Sequence, residues 1–466
     1  MPSRGLCSIL VSSAFAAGLI LSAVPVTAES LADALVTAYR TSPLLDSSRA
    51  ALRALDESVP QARANRRPQV SAGAGANSGQ TFDGSDAIHE LRATLDASLL
   101  MFDNGQTAAA VEAARNSIAA GRADLKDVEQ FVLFNAVQAY ADVLQNQEFV
   151  RLAQNDVERL DETLRATVNR FEVGEVTRTD VSQAEARLAE SNSQLAGARG
   201  LLETAREAFR AAVGVPPRDL DPLPPLPDLP QTVDDATAIG IRRNPQVVAA
   251  QFNERAAVYD FDRALAAQGP SVTGVASLGA RRGNSNVLRQ WDDNTFGEVG
   301  IRGDLPLYTG GRNDSLVRQA QAILDQRRFE VQDAGRSVTQ QVAGAWTELA
   351  VARASIIARR EQAVASRIAA EGVAEEARVG ARSTLDVLNA DQERLDAEAE
   401  VVRSLRDEYV AAYALLRAMG LLTVEHLGLG VESYDPDVNF ARVRPAPSGG
   451  YDTSVVDRIR ARWERQ

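Results

Sequence analysis

An internal repeat constrains the fold of this chain more than any other feature. Residues 173–181 and 379–389 each place a glycine after a long helical pattern, and these two glycines lie 206 residues apart. The same shift aligns residues 102–214 with residues 308–420 without a gap. A repeat of this length indicates two structurally equivalent halves. We therefore predict a single molecule with an internal two-fold sequence repeat rather than two unrelated domains.

Long helices account for most of each half. No proline interrupts residues 104–170 or 313–378, and a helix of about 67 residues would be about 100 Å long. The returning segments, 178–213 and 384–419, carry leucine, valine and alanine at heptad spacing. Such spacing specifies coiled-coil packing, and the frequent alanines permit a close approach of the helices. We predict a mainly α fold whose body consists of long coiled-coil helical hairpins.

Two strand pairs interrupt the helical pattern, at residues 69–102 and 271–308. Over residues 89–101 apolar side chains alternate strictly with polar ones, which is typical of a strand with one dry and one wet face. The apolar positions are Leu91, Ala93, Leu95, Ala97 and Leu99, and the polar positions between them are Glu90, Arg92, Thr94, Asp96 and Ser98. The second pair repeats this alternation. One interpretation is a pair of soluble hairpins, and the other is a set of transmembrane β-strands.

The first 28 residues indicate export. Arg4 precedes an apolar run, and a small-residue cleavage site ends at Ala28. Beyond residue 28, no apolar run approaches the roughly 18 to 20 residues that a membrane-spanning helix needs. An exported chain of this kind enters a membrane only through strands. Four strands are too few to close a barrel, which needs roughly eight, so several chains would have to share one.

The predicted organisation follows the repeat. Each half opens with a shorter helix that Pro43 or Pro245 interrupts. We expect the following order of segments: a signal peptide (1–28), a first half (29–214), a Pro-rich connector (215–232), a second half (233–420), and a C-terminal segment with a disordered end (421–466).

Composition narrows the function. The net charge of −13 argues against a nucleic-acid partner and is compatible with a hydrated interior that favours cations. The only cysteine, Cys7, lies in the export signal, so cysteine metal sites and disulfides are excluded from the mature chain. His89 and His426 lie far apart, and no nucleophile–base set or phosphate loop stands out. We predict no enzyme activity, no cofactor and no metal site.

The two glycine-containing stretches resemble helix stops followed by helix starts. In each, the glycine would supply a left-handed C-terminal cap. Thr177 and Asp180 in the first stretch, like Ser383 and Asp386 in the second, have the spacing of a capping box, although aspartate replaces the usual glutamate or glutamine. Each stretch is therefore predicted to be the tip of a helical hairpin. Helix capping by itself is sufficient to explain both aspartates.

The whole arrangement resembles the TolC family of outer-membrane channel proteins. The resemblance rests on the duplicated order of helix, strand pair, long helix and coiled-coil return, and on the two tips. It implies a homotrimer whose chains contribute four strands each to one 12-stranded barrel in outer-membrane lipid. It also implies a periplasmic α-barrel that docks with a periplasmic adaptor protein and an inner-membrane transporter. The transporter would be an ABC exporter or, in the alternative, an RND pump.

The same resemblance assigns roles to residues at the tips. Arg382 matches the arginine that links one hairpin to its neighbour, and Thr179 and Asp180 match its acceptors. Asp386 matches the first acidic residue of a constriction, whereas Asn389 stands where a second acidic residue would be. The residues implied to contact the adaptor are Val173, Gly174, Val379 and Gly380.

Three functions remain open from the sequence. Residues 434–444, YDPDVNFARVR, resemble the tail of exit ducts for type I protein secretion. A multidrug or metal efflux channel would have the same architecture. A periplasmic coiled-coil scaffold or adhesin without a pore is the alternative from another class, and the alternating strands argue against it.

Overall fold

A computed structural model describes residues 29–80, 87–284 and 291–444. The predicted signal peptide and the end of the C-terminal tail lie outside these residues. The first half contains α1 (Leu31–Thr41), α2 (Pro43–Asp56), α3 (Ser58–Ala64), β1 (Gln69–Gln80), β2 (Ala87–Phe102), α4 (Gln106–Glu172) and α5 (Arg178–Val213). The second half contains α6 (Val233–Arg243), α7 (Pro245–Ala266), β3 (Ser271–Asn284), β4 (Trp291–Asp304), α8 (Arg312–Arg378) and α9 (Thr384–Ala418), and α10 (Pro436–Val443) follows. The fold is mainly α with four antiparallel strands, which confirms the predicted class.

The internal repeat is visible in the backbone. Helices α4 and α8 are each 67 residues long. Each follows a glycine in the left-handed region, Gly105 (φ 92°) and Gly311 (φ 83°), which lets the chain turn sharply from the strand into the helix. Within the described segments, no helix combines the length and the hydropathy that a membrane crossing requires.

The opening helix of each half is broken at its proline. Ser42 caps α2 and Asn244 caps α7, with Pro43 and Pro245 at the first helical position. A proline is tolerated there because its missing N–H would have no partner within the helix. In the first half the chain breaks again at Glu57, so three helices stand where one interrupted helix was expected.

The strands form one sheet in the order β1-β2-β3-β4. The register places Leu95 opposite Ala72 and Leu278. One face of the sheet, called here the apolar face, therefore carries the odd-numbered residues 91–99 of β2 and their partners. The other, the polar face, carries the even-numbered residues 90–98 and their partners. Strands β1 and β4 are the two edges, and among the described residues neither has a partner strand on its outer side.

The main core lies where the opening helices pack against the middle of the long helices. Its largest fully buried side chains include Leu133, Tyr140, Phe209 and Leu415. The Tyr140 and Phe209 rings lie 6.3 Å apart. The Tyr140 hydroxyl lies 2.9 Å from the Glu29 carbonyl and 2.7 Å from the Asp221 carbonyl. This hydroxyl thus ties the start of the described chain and the connector to α4.

The described part of the C-terminal segment is attached to the first half. The Asn439 side-chain amide donates to the buried Asp56 carboxylate at 2.6 Å. Arg122 of α4 forms an ion pair with Asp437 at 2.8 Å. These contacts give residues 434–444 a structural task in this chain.

Candidate gate at the helical tips

Each hairpin ends in a glycine with positive φ, Gly174 at 81° and Gly380 at 79°. Beyond the first glycine, the Glu175 N–H donates to the Arg170 carbonyl at 2.9 Å. The Ala381 N–H donates to the Glu376 carbonyl at the same distance. These bonds satisfy carbonyls that the helix end leaves free.

The exposed valines are the most apolar feature of the tips. Val173 is 71% exposed and Val379 is 81% exposed. Each directly precedes the glycine that ends its helix. The four residues implied to contact an adaptor therefore lie at the ends of the two hairpins, two on each, and all four are exposed.

Both aspartates complete reciprocal capping boxes. The Thr177 N–H and hydroxyl donate to Asp180 Oδ2 at 2.9 and 2.7 Å. The Ser383 N–H and hydroxyl donate to Asp386 Oδ2 at 3.0 and 2.7 Å. The side-chain hydrogen bonds are the main cause that lowers the pKa of each carboxyl group below its usual value. Both aspartates are therefore ionised at neutral pH and keep one oxygen for a further partner.

Arg382 is bound within its own hairpin. Its Nε donates to Glu376 Oε2 at 2.8 Å, and this hydrogen bond is the main cause that raises the pKa of Arg382. Among the described residues of one chain, no hydrogen bond or ion pair joins Arg382 to Thr179 or Asp180. Thr179 is exposed. The implied link between hairpins is thus absent within a single chain.

A contact for which the sequence gave only a weak signal joins the two hairpins near their tips. Arg187 of α5 donates from Nη2 to Asn389 Oδ1 of α9 at 3.2 Å, and its Nη1 pairs with Glu190 at 3.0 Å. The only sequence signal for it was a polar position beside the heptad stripe of α5. Asn389 therefore contacts an arginine from the other hairpin.

A second polar cluster joins the hairpins further from the tips. Asp156 of α4 is only 4% exposed, accepts a hydrogen bond from the Ser191 hydroxyl at 2.7 Å, and pairs with Arg159 at 3.0 Å. Arg159 also pairs with Asp391 of α9 at 3.3 Å. Burial raises the pKa of Asp391, and Arg159 and Arg394 partly oppose that shift. The sequence patterns did not predict this cluster.

A sheet with one apolar face, carried on long helical hairpins, is the architecture of an outer-membrane channel subunit. A family model described as "Outer membrane efflux protein" matches residues 34–215 and 241–421, one match in each half of the repeat. The chain belongs to this outer membrane efflux protein family, which includes TolC. It is a channel component of a tripartite export system rather than an enzyme, located in the outer membrane with its helical tunnel in the periplasm.

Three similar proteins illustrate the match. The outer membrane efflux protein BepC of Brucella suis is 34% identical over 94% of this chain and 96% of its own length. The alkaline protease secretion protein AprF of Pseudomonas aeruginosa is 26% identical over 62% of this chain and 61% of its own length. The solved outer membrane protein VceC of Vibrio cholerae shares the fold, with a TM-score of 0.71 at 22% identity over 84% of this chain and 96% of that structure.

Proposed function

We propose that three copies of this chain form one passive exit duct, whose twelve strands close a barrel in outer-membrane lipid. The observation that carries this proposal is the register of the sheet, which collects Leu91, Leu95 and Leu278 on one face and, within the described ranges, leaves both edge strands without an outer partner. An unpaired edge invites pairing with another chain. Four strands cannot close a barrel, and twelve exceed the working minimum of about eight.

The tips are proposed to form the inner entrance of the duct. Three Asp386 carboxylates would make an acidic ring, and acidic rings select cations in other pores. Arg382 would bond to Thr179 and Asp180 of a neighbouring hairpin, because each of these keeps an acceptor that no described residue of its own chain occupies. A charge-assisted guanidinium contact of this kind can hold an entrance closed. Contact of an adaptor with Val173 and Val379 would break this guanidinium contact and open the entrance.

The substrate is proposed to be a protein delivered by a type I exporter, in which an ABC transporter supplies the energy. Residues 434–444 support this, together with the similarity to AprF, whose name records protease secretion. Multidrug or metal efflux with an RND pump is the second candidate. The name of BepC favours it, since that efflux protein is similar over nearly the whole chain.

Reconstitution tests the duct and its gate. We expect the purified protein to form trimers that conduct in planar bilayers, and Arg382→Ala trimers to conduct more than wild type. Trimers that never conduct would support the scaffold or adhesin alternative. Trimers that conduct, but whose conductance is unchanged by Arg382→Ala, would contradict the proposed gate and leave the proposed duct standing.

Deletion of the gene separates the two substrate classes. Loss of a secreted protein with unchanged drug and metal tolerance would support type I secretion. Increased drug or metal sensitivity with an unchanged set of secreted proteins would support efflux.

A further inference from the structure

We propose that the polar face of the sheet carries an anion-binding ring, built from Arg92 and Arg281, which binds carboxylate or phosphate groups of a substrate as it leaves the duct. The inference rests on the proposed trimer, because only there does the polar face line a shared lumen. The two arginines are called the arginine row below.

The register brings the two arginines to one level. Arg92 of β2 lies directly opposite Arg281 of β3, and their remaining cross-strand neighbours at this level are Gly75 and Asn294. Directly opposed residues point to the same face of a sheet, with Cβ atoms about 5 Å apart. Like charges at this distance destabilise the pair unless an anion or solvent lies between them. Both side chains are exposed, and no carboxylate among the described residues forms an ion pair with either one.

An aromatic ring supports Arg92 from the next level. Phe296 lies on the same face, and the Arg92 guanidinium carbon is 5.5 Å from its ring centroid. The ring lies against Gly279, where a Cβ would come within 2.4 Å of it. Only glycine at residue 279 leaves room for the Phe296 side chain. The Phe296 side chain in turn restricts the Arg92 guanidinium group. Restricting a long side chain before binding lowers the entropic cost of binding an anion.

The nearest other charges of the polar face are carboxylates, and none of them lies at the level of the arginine row. Asp96 and Glu298 share a level with Ser277. They lie about 13 Å along the strands from the arginine row, beyond the screening length of about 8 Å at physiological salt. Arg302 and Asp304 lie still nearer the helices. Glu90 and Asp292 share the level on the other side of the arginine row, about 7 Å along the strands from it, so two acidic residues of each chain lie within the screening length.

The ring would therefore contain six guanidinium groups in a trimer whose chains are acidic as a whole. Guanidinium groups bind carboxylate and phosphate through paired hydrogen bonds. The position beyond the level of Asp96 and Glu298, towards the strand ends away from the helices, would meet a substrate late in its passage. Anionic groups of a substrate that has passed the acidic entrance would thus be attracted to the arginine ring further along the duct.

Two adjacent arginines provide a matched test. Arg281 lies on the polar face, whereas Arg282 lies on the apolar face, where it pairs with Asp293 at 3.4 Å. We would add tripolyphosphate to wild-type, Arg281→Gln, Arg281→Lys and Arg282→Gln trimers in planar bilayers, on the side of the strand ends and separately on the side of the tips. Trimer formation by each variant would be checked before recording.

We expect tripolyphosphate to block wild type from the strand side at a lower concentration than from the tip side. Arg281→Gln should raise the half-blocking concentration at least about tenfold, the loss expected for one charge-assisted hydrogen bond. Arg281→Lys should retain much of the block, and Arg282→Gln should behave as wild type. Equal effects of Arg281→Gln and Arg282→Gln, or conducting wild-type trimers without block, would overturn the ring alone. Trimers that never conduct would overturn the proposed duct and the ring with it.

Discussion

Arg382 donates its Nε hydrogen to Glu376 at 2.8 Å, which holds the arginine assigned to the gate on its own hairpin. Both side chains are about half exposed. The same guanidinium is the proposed donor to Asp180 of a neighbouring hairpin. Glu376 and Asp180 would therefore compete for one cation, and the closed entrance would form at the expense of the contact seen here.

Removing the Glu376 carboxylate should favour the closed state of the entrance. We expect Glu376→Gln to lower the open fraction of reconstituted channels about two- to fivefold, the range for one exposed ion pair. The neighbouring Glu375 pairs with Arg378 at 2.7 Å and provides a matched control, Glu375→Gln, which should leave conductance unchanged. Single-channel recordings measure both. An increase in conductance with Glu376→Gln would contradict the competition.

Asn389 offers a second change at the entrance. Asn389→Asp places a carboxylate one helical turn from Asp386, and three copies would add a second acidic ring. We expect stronger cation selectivity, measured as the reversal potential in a KCl gradient, and stronger block by divalent cations. Arg187 lies 3.2 Å from the Asn389 oxygen and would pair with the new carboxylate. The effect should therefore be larger when Arg187→Gln is added.

Substitution of Asp386 is the reverse test, because it removes charge from the proposed acidic entrance. Asp386→Asn should weaken cation selectivity and divalent block, because it removes the charge that the first ring would contribute. If neither Asp386→Asn nor Asn389→Asp changes the reversal potential, these side chains do not line the conducting path.

The buried cluster further from the tips should contribute to stability. Ser191→Ala removes a donor to Asp156, whose carboxylate is almost fully buried. We expect a loss of about 1–3 kcal/mol in the free energy of unfolding. Ser193→Ala on the exposed side of the same helix is the control and should cost little. Denaturant titration of the detergent-solubilised protein measures both, and equal losses would show that the bond to Asp156 is not the cause.

Asp103 should make stability depend on pH. Burial raises its pKa, but hydrogen bonds from Thr107 and Arg66 outweigh burial and lower the pKa below its usual value. An acid with a depressed folded pKa stabilises fully above its unfolded pKa of about 3.9, and that stabilisation is lost as pH falls through the folded value. We expect Asp103→Asn to unfold at a lower temperature than wild type at pH 7. The difference should shrink below about pH 4, and a difference that stays constant there would exclude Asp103 as the titrating group.

Local features of this fold were readable from the sequence. The alternation in residues 89–101 predicted two unlike faces, and the structure places Leu95 with Leu278 on one of them. The capping boxes at Asp180 and Asp386 were also readable, because their hydrogen bonds join residues three positions apart. Patterns of this kind depend on backbone geometry within one or two turns, or on the two-residue period of a strand.

The partners of individual charges were decided only by the tertiary structure. The contacts of Arg187 with Asn389 and of Arg159 with Asp391 depend on the rotation and offset of packed helices, which residue spacing within one helix does not specify. The pairing of Arg92 with Arg281 depends on the register between strands almost 190 residues apart. A shift of one residue would have placed Arg282 on the polar face instead. The sequence by itself thus determined the elements, their faces and their caps, whereas packing and register decided which charges meet.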